Sequence, residues 1–158
     1  MSLYPCGYAE DIIVSKRPNR HIMSYVSMAA SEVANSTILI VDDDEGVTQT
    51  FARMLKLEGF QVRTAINAES GLKVANESQP NAIILDLRMP LVDGLGFLRR
   101  LRSQSDQRAT PVAIVTGDYF LEDSVANELR ELGAELRFKP LWLEDLVGLA
   151  RNLLRVTH

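Results

Sequence analysis

From Thr37 onward, short unbroken apolar runs alternate with longer stretches whose apolar residues recur every three or four positions. Ile38-Leu39-Ile40-Val41 is the first run and ends at Asp42-Asp43-Asp44. Val47, Phe51, Met54 and Leu55 follow at helical spacing, and Gly59 is a suitable helix stop. Phe60 to Ala65 alternates and predicts a second strand. Asn67 is placed to cap a short helix through Leu72 and Ala75 that stops before Pro80. Ala82-Ile83-Ile84-Leu85 then runs into Asp86, and Met89-Pro90 with Asp93-Gly94 prevents the strand from continuing. Leu95, Leu98 and Leu101 mark a third helix, followed by a polar loop over 103–110. Pro111 to Thr116 predicts a fourth strand, and Leu121, Val125, Leu129 and Leu132 line a fourth helix stopped by Gly133. Ala134 to Phe138 is a short fifth strand whose Glu135 and Arg137 suit a sheet edge. Lys139-Pro140 ends it, and Leu143, Leu146, Val147, Ala150 and Leu154 make a final helix.

Apolar runs without alternation suit parallel strands buried on both faces. Five of them alternating with five helices predict an α/β fold, a doubly wound parallel sheet. Right-handed crossovers put helices on both faces of such a sheet. Residues 37–158 are expected to form this single domain. Residues 1–36 hold Pro5, Gly7, Pro18 and Asn19 and show no sustained period. They read as a poorly ordered N-terminal extension, an expression leader or the product of an early start codon, with Met28 a sensible alternative start. Ile12-Ile13-Val14 has the composition of a short strand, without support around it.

Composition narrows the function classes. The chain is 46% hydrophobic and 24% charged, the balance of a soluble globular domain. A net charge of −4 argues against a nucleic-acid surface. Cys6 is the only cysteine, so an internal disulfide or a Cys-based zinc site is excluded. No apolar run approaches the roughly 18 residues of a membrane span, and the N-terminus lacks the apolar centre of a signal peptide. The cytoplasm is the expected location.

In a parallel sheet the carboxyl ends of the strands share one edge, where open α/β sheets place their ligands. Asp42, Asp43 and Asp44 follow the first strand, Asp86 the third, Thr116 the fourth and Lys139 the fifth. Taken singly, each has an ordinary reading: a helix cap for Asp44, a turn hydroxyl for Thr116, a solvated charge for Lys139. Together they bring carboxylates, a hydroxyl and an ammonium to one edge. Clustered carboxylates repel one another unless a cation is present. Oxygen-only ligands with open positions suit Mg²⁺, with Mn²⁺ an acceptable substitute. Such a site beside a lysine and a hydroxyl is suited to phosphoryl transfer, and a carboxylate can itself be the nucleophile.

Four motifs in this order resemble the response-regulator receiver domain of two-component signalling: Ile40-Val41-Asp42-Asp43, Leu85-Asp86-Leu87-Arg88-Met89-Pro90, Val115-Thr116-Gly117 and Phe138-Lys139-Pro140. The resemblance covers the whole of residues 37–158. It implies a flavodoxin-like strand order 2-1-3-4-5. It implies that Asp86 takes a phosphoryl group from a phosphohistidine on a sensor histidine kinase or phosphotransfer protein. Asp43, Asp86 and the Arg88 backbone carbonyl would ligate Mg²⁺, with Asp42 acting through water. Thr116 and Lys139 would contact the phosphoryl oxygens, and Lys139-Pro140 would be a cis peptide. Arg88 and Asp118 would flank the mouth of the cleft, with a salt bridge across it. The implied protein is a signalling phosphoacceptor rather than an enzyme, assisting its own phosphorylation and autodephosphorylation. Its output would use the face made by the fourth helix, fifth strand and last helix, which is also a surface for self-association. Direct nucleic-acid or membrane binding is not expected. The family usually has Tyr or Phe three residues before the lysine, as a rotameric switch, whereas this chain has Leu136.

Other readings fit less well. A haloacid-dehalogenase-type phosphatase would make Asp42 the nucleophile, with Asp44 its partner, and leave Asp86 without a role. A calcium loop starting at Asp42 has Gly46 misplaced and Arg53 where a Glu is required. A dinucleotide fold would want glycines after the first strand, not four acidic residues. A receiver used only as a binding module would not need the full set of site residues. The chain is expected to be either a free-standing receiver or part of a longer regulator.

Overall fold

The computed structural model describes residues 20–155. Helix α1 (Arg20–Asn35) leads into β1 (Thr37–Val41), α2 (Glu45–Leu57), β2 (Gln61–Ala65), α3 (Ala68–Ser78) and β3 (Ala82–Leu85). Then come α4 (Gly94–Ser103), a 3₁₀ turn (Ser105–Gln107), β4 (Val112–Thr116), α5 (Asp123–Glu131), β5 (Ala134–Phe138) and α6 (Leu143–Arg155). The five strands are parallel and lie in the order β2-β1-β3-β4-β5. β3 and β4 are buried along their whole length, as is β1 after Thr37, while the flanking β2 and β5 are partly exposed.

Side chains of successive strand residues point to opposite faces, so the apolar runs feed two cores. Leu39, Val41, Ile83, Leu85 and Ile114 pack against α3, α4 and α5. Ile38, Ile40, Ile84, Ala113 and Val115 pack against α2 and α6. Each of the first three helices after β1 starts at a side-chain cap. Asp44 accepts from Val47 N at 3.1 Å, Asn67 from Ser70 N at 2.8 Å and Asp93 from Gly96 N at 2.9 Å. Caps of this kind satisfy amide groups that have no partner inside the helix. Gly59, at φ +96°, supplies the left-handed turn after α2.

The five expected helices are α2 to α6. The structure adds α1, in the stretch where the sequence shows no sustained period. Its C-terminal end is tied to the sheet: Gln61 N donates to Ser36 O at 3.0 Å, and Val33 packs against the α2–α6 core. Met28 is exposed. The stretch 20–35 mixes Ser, Ala and Asn with scattered apolar residues, so its helical stripe is faint in the sequence. Cys6 and Ile12-Ile13-Val14 lie outside the described residues.

Candidate functional site

The sheet ladder runs one residue past β1, β3 and β5 and so fixes the backbone of the site. Asp86 N donates to Val41 O at 2.8 Å, Asp42 N to Ala65 O at 3.1 Å, and Lys139 N to Thr116 O at 2.8 Å. The strand order reverses between β1 and β3, and Asp42 and Asp86 stand at that switch point. Behind Asp86, Leu87 is buried, and Gly94 N returns to Leu87 O at 2.8 Å. A Cβ on Gly94 would lie 2.5 Å from the Asp86 carbonyl oxygen, so only glycine fits this close approach. Asp93-Gly94 therefore shapes the acceptor loop as well as ending the strand.

Asp42, Asp43 and Asp86 each offer a carboxylate oxygen, all within 4.8 Å of one another. Asp42 and Asp86 are buried and Asp43 is exposed. Lys139 Nζ lies 2.7 Å from Asp42 Oδ2 and 3.3 Å from Asp86 Oδ1. Burial pushes the Asp86 carboxyl above its usual range; Lys139 opposes this, while the charges of Asp42 and Asp43 add to it. Burial would lower Lys139, but the hydrogen bond to Asp42 and the charges of Asp86 and Asp42 outweigh it and hold the ammonium above its ordinary value. One ammonium thus serves two buried carboxylates, and the third carboxylate leaves an excess of negative charge. Hard oxygen donors with excess negative charge and an exposed side fit a small divalent cation.

Thr116 is fully buried at the end of β4, and its Oγ1 accepts from Asp118 N at 3.1 Å. The hydroxyl proton is left for another acceptor. Arg88 pairs with Asp118, with Nε 2.9 Å from Oδ2. That contact holds the Asp118 carboxyl below its ordinary value. Arg88 and Asp43 line one shallow groove with Met89, Pro90 and Leu91. Asp44 spends its side chain on capping α2 and stands outside the carboxylate cluster. The phosphatase reading, which needs Asp42 and Asp44 as its pair, finds no such pair here. Lys139-Pro140 is cis, and Leu136 is half-buried on the side of the sheet that carries α5. The sequence alone did not reveal one contact: the Tyr119 hydroxyl donates to the Lys139 carbonyl. A side-chain-to-backbone bond between distant residues leaves no spacing signature.

Residues 38–150 match the family described as the response regulator receiver domain. The transcriptional regulatory protein PrrA of Mycobacterium leprae is 37% identical over 124 residues, covering 78% of this chain and 52% of that protein. The response regulator MprA of Mycolicibacterium vanbaalenii is 36% identical over 123 residues, covering 76% and 51%. The chain thus spans about half the length of the curated relatives it matches. Among solved structures, the chemotaxis protein CheY4 of Vibrio cholerae aligns with a TM-score of 0.70 at 28% identity, covering 75% of this chain and 98% of that one. A response regulator receiver domain protein from Clostridium thermocellum aligns at 0.69 with 26% identity, covering 77% and 96%. Sheet order, the acidic edge at its switch point and these matches agree, and the chain belongs to the response regulator receiver domain family of two-component signalling.

Proposed function

We propose that the chain is a phosphoacceptor: Asp86 takes the phosphoryl group from a phosphohistidine of a sensor histidine kinase or phosphotransfer protein. A carboxylate oxygen of Asp86 forms the new bond to phosphorus as the phosphorus–nitrogen bond breaks, and the histidine leaves as the neutral imidazole after taking up a proton. The observation that supports this most is the Asp86 carboxylate itself. It is only 7% exposed, ends a buried strand, and has Lys139 Nζ at 3.3 Å and two further carboxylates beside it. Burial and the charges of Asp42 and Asp43 raise the energy of ionised Asp86 and Lys139 opposes them, so the ammonium and a cation at the cluster would keep the carboxylate ionised as nucleophile and offset the charge of the acyl phosphate.

Asp42, Asp43, Asp86 and the Arg88 carbonyl would hold Mg²⁺ or Mn²⁺, which supplies neutralisation of the transferring phosphoryl oxygens. Lys139 places its ammonium against the same oxygens, and the Thr116 hydroxyl donates to another. The same residues orient a water for loss of the phosphoryl group. Output runs through the face made by α5, β5 and α6, which also serves self-association. The protein works in the cytoplasm; among the described residues no helix is long and apolar enough to cross a membrane. PrrA is by name a transcriptional regulatory protein, and this chain matches about half of it; we read residues 37–158 as a phosphoacceptor part.

The test is labelling by acetyl phosphate with Mg²⁺ of the wild type, Asp86→Asn and Asp42→Asn. The phosphoacceptor reading expects no acid-labile label on Asp86→Asn and a reduced amount on Asp42→Asn. Full labelling of Asp86→Asn with none on Asp42→Asn would transfer the role of nucleophile to Asp42.

A further inference from the structure

Leu136 stands where the family resemblance expects an aromatic, yet this edge of the sheet is rich in aromatic side chains. Tyr119 lies in the β4–α5 loop, three residues beyond Thr116, and is 63% exposed. Its ring stacks on Phe138, with centroids 5.6 Å apart and planes at 14°. Its hydroxyl donates to the backbone carbonyl of Lys139. Phe138 is the register partner of Thr116, and Lys139 N donates to Thr116 O at 2.8 Å. One side chain therefore joins the loop behind Thr116 to the strand end that carries Lys139.

Building on the phosphoacceptor reading, we propose that Tyr119 is the positioning residue that couples the Thr116 loop to Lys139, and that its stack on Phe138 carries occupancy of Asp86 to the α5–β5–α6 face. The loop is held at two sides. Asp118 ties it to the β3 side through Arg88 and keeps Thr116 Oγ1 engaged as an acceptor. Tyr119 ties it to the β5 side. As the Thr116 hydroxyl turns toward a phosphoryl oxygen on Asp86, the Asp118 N–H loses its acceptor and the loop shifts. Tyr119 is the next residue, so the shift moves its hydroxyl against the Lys139 carbonyl and its ring against Phe138. Both contacts are exposed, and contacts of this kind change a population by about tenfold or less. A bound group can tip an equilibrium of that size, which is what a switch requires. Leu136 has no hydroxyl and is held among apolar side chains, so it offers no such contact.

The experiment follows amide resonances of the full chain as Mg²⁺ and beryllofluoride are added. Leu87, beside the acceptor, reports binding. Phe138 and the indole of Trp142, three residues beyond Lys139 and exposed, report transmission. In the wild type all three move. In Tyr119→Ala the Leu87 change persists while the changes at Phe138 and Trp142 fall at least about threefold. Tyr119→Phe keeps the stack and restores the Phe138 change, while the Trp142 change, beyond the lost hydroxyl contact at the Lys139 carbonyl, stays reduced. Thermal melts establish that both variants are folded. Unchanged Phe138 and Trp142 responses in Tyr119→Ala, with Leu87 moving, overturn the inference alone. So does a wild type in which Leu87 moves and the other two do not. A wild type in which nothing moves overturns the phosphoacceptor reading, and the inference with it.

Discussion

Asp43→Ala should stabilise the metal-free protein. Asp43 has a carboxylate oxygen within 4.8 Å of oxygens on Asp42 and Asp86. At that separation each repulsion is about 3.5 kcal/mol at an effective dielectric of about 20, and about 0.9 kcal/mol in water. Asp43 is exposed while its two neighbours are buried, which puts the effective value toward the aqueous end. Lys139, paired with Asp42 and Asp86, attracts Asp43 from further away and offsets about one of the two repulsions. A net gain of about 1 kcal/mol remains on removing the carboxylate, or roughly 2–4 °C in Tm for a chain of this size. The assay is a pair of thermal melts, in chelator and in Mg²⁺. In chelator the variant melts above the wild type. At Mg²⁺ 100-fold above its Kd, the wild type gains about 2.7 kcal/mol by linkage, and the variant at the same concentration gains far less. A variant that melts below the wild type in chelator would refute the repulsion argument. A wild type indifferent to Mg²⁺ would refute the metal site.

The Arg88–Asp118 pair offers a second test. An exposed pair contributes little, so gating of the hydrolytic water changes the rate by no more than about fivefold. Arg88→Ala and Asp118→Ala should each speed loss of the phosphoryl group, with the double variant no faster than the quicker single; additive effects would mean that the two residues act separately. The Asp86 carboxyl titrates above its usual value of 3.8 in the folded protein. As pH rises past that value the native state keeps a proton that the unfolded chain has lost. Stability in chelator therefore declines until Asp86 is ionised in both states. Asp86→Asn removes that decline, so urea melts from about pH 4 to about pH 7 should show its advantage over wild type growing with pH; a constant difference would contradict the raised carboxyl. In Gly94→Ala the new Cβ would meet the Asp86 carbonyl oxygen at 2.5 Å and Leu87 Cα at 2.9 Å. Backbone must move, at a cost of about 1–3 kcal/mol in urea melts, and a loss below about 0.5 kcal/mol would show that the acceptor loop yields freely.

The parts of this fold that can be read from sequence are those in which local pattern and burial coincide. β1, β3 and β4 are apolar without alternation because they are covered on both faces, and each inner strand ends in a polar residue that the topology sends to one edge. Helix starts at Asp44, Asn67 and Asp93 carry their caps in the sequence. α1 is hidden because Ser, Ala and Asn dilute the apolar pattern of residues 20–35. Gln79 is equally hidden: it closes α3 in the left-handed region at φ +46°, a task for which Gly or Asn would have been the signal. At the site, residue types and order bring out Asp42, Asp43, Asp86, Thr116 and Lys139. The contacts that join them need the register of β5 on β4, which places Phe138 beside Thr116 and so brings Tyr119 over Lys139. The close approach of Gly94 to Asp86 also depends on a folded loop, since Asp-Gly in sequence signals only a turn.

The central claim is that Asp86 itself bears the phosphoryl group. Borohydride reduces an aspartyl phosphate to homoserine, so reduction after acetyl phosphate treatment in Mg²⁺, followed by peptide mass mapping, locates the acyl phosphate directly. The account predicts homoserine at position 86, none at 42 or 43, and none anywhere when Mg²⁺ is chelated. Homoserine at 42 or 43, or an unreduced position 86 in a protein that carries label, would contradict it.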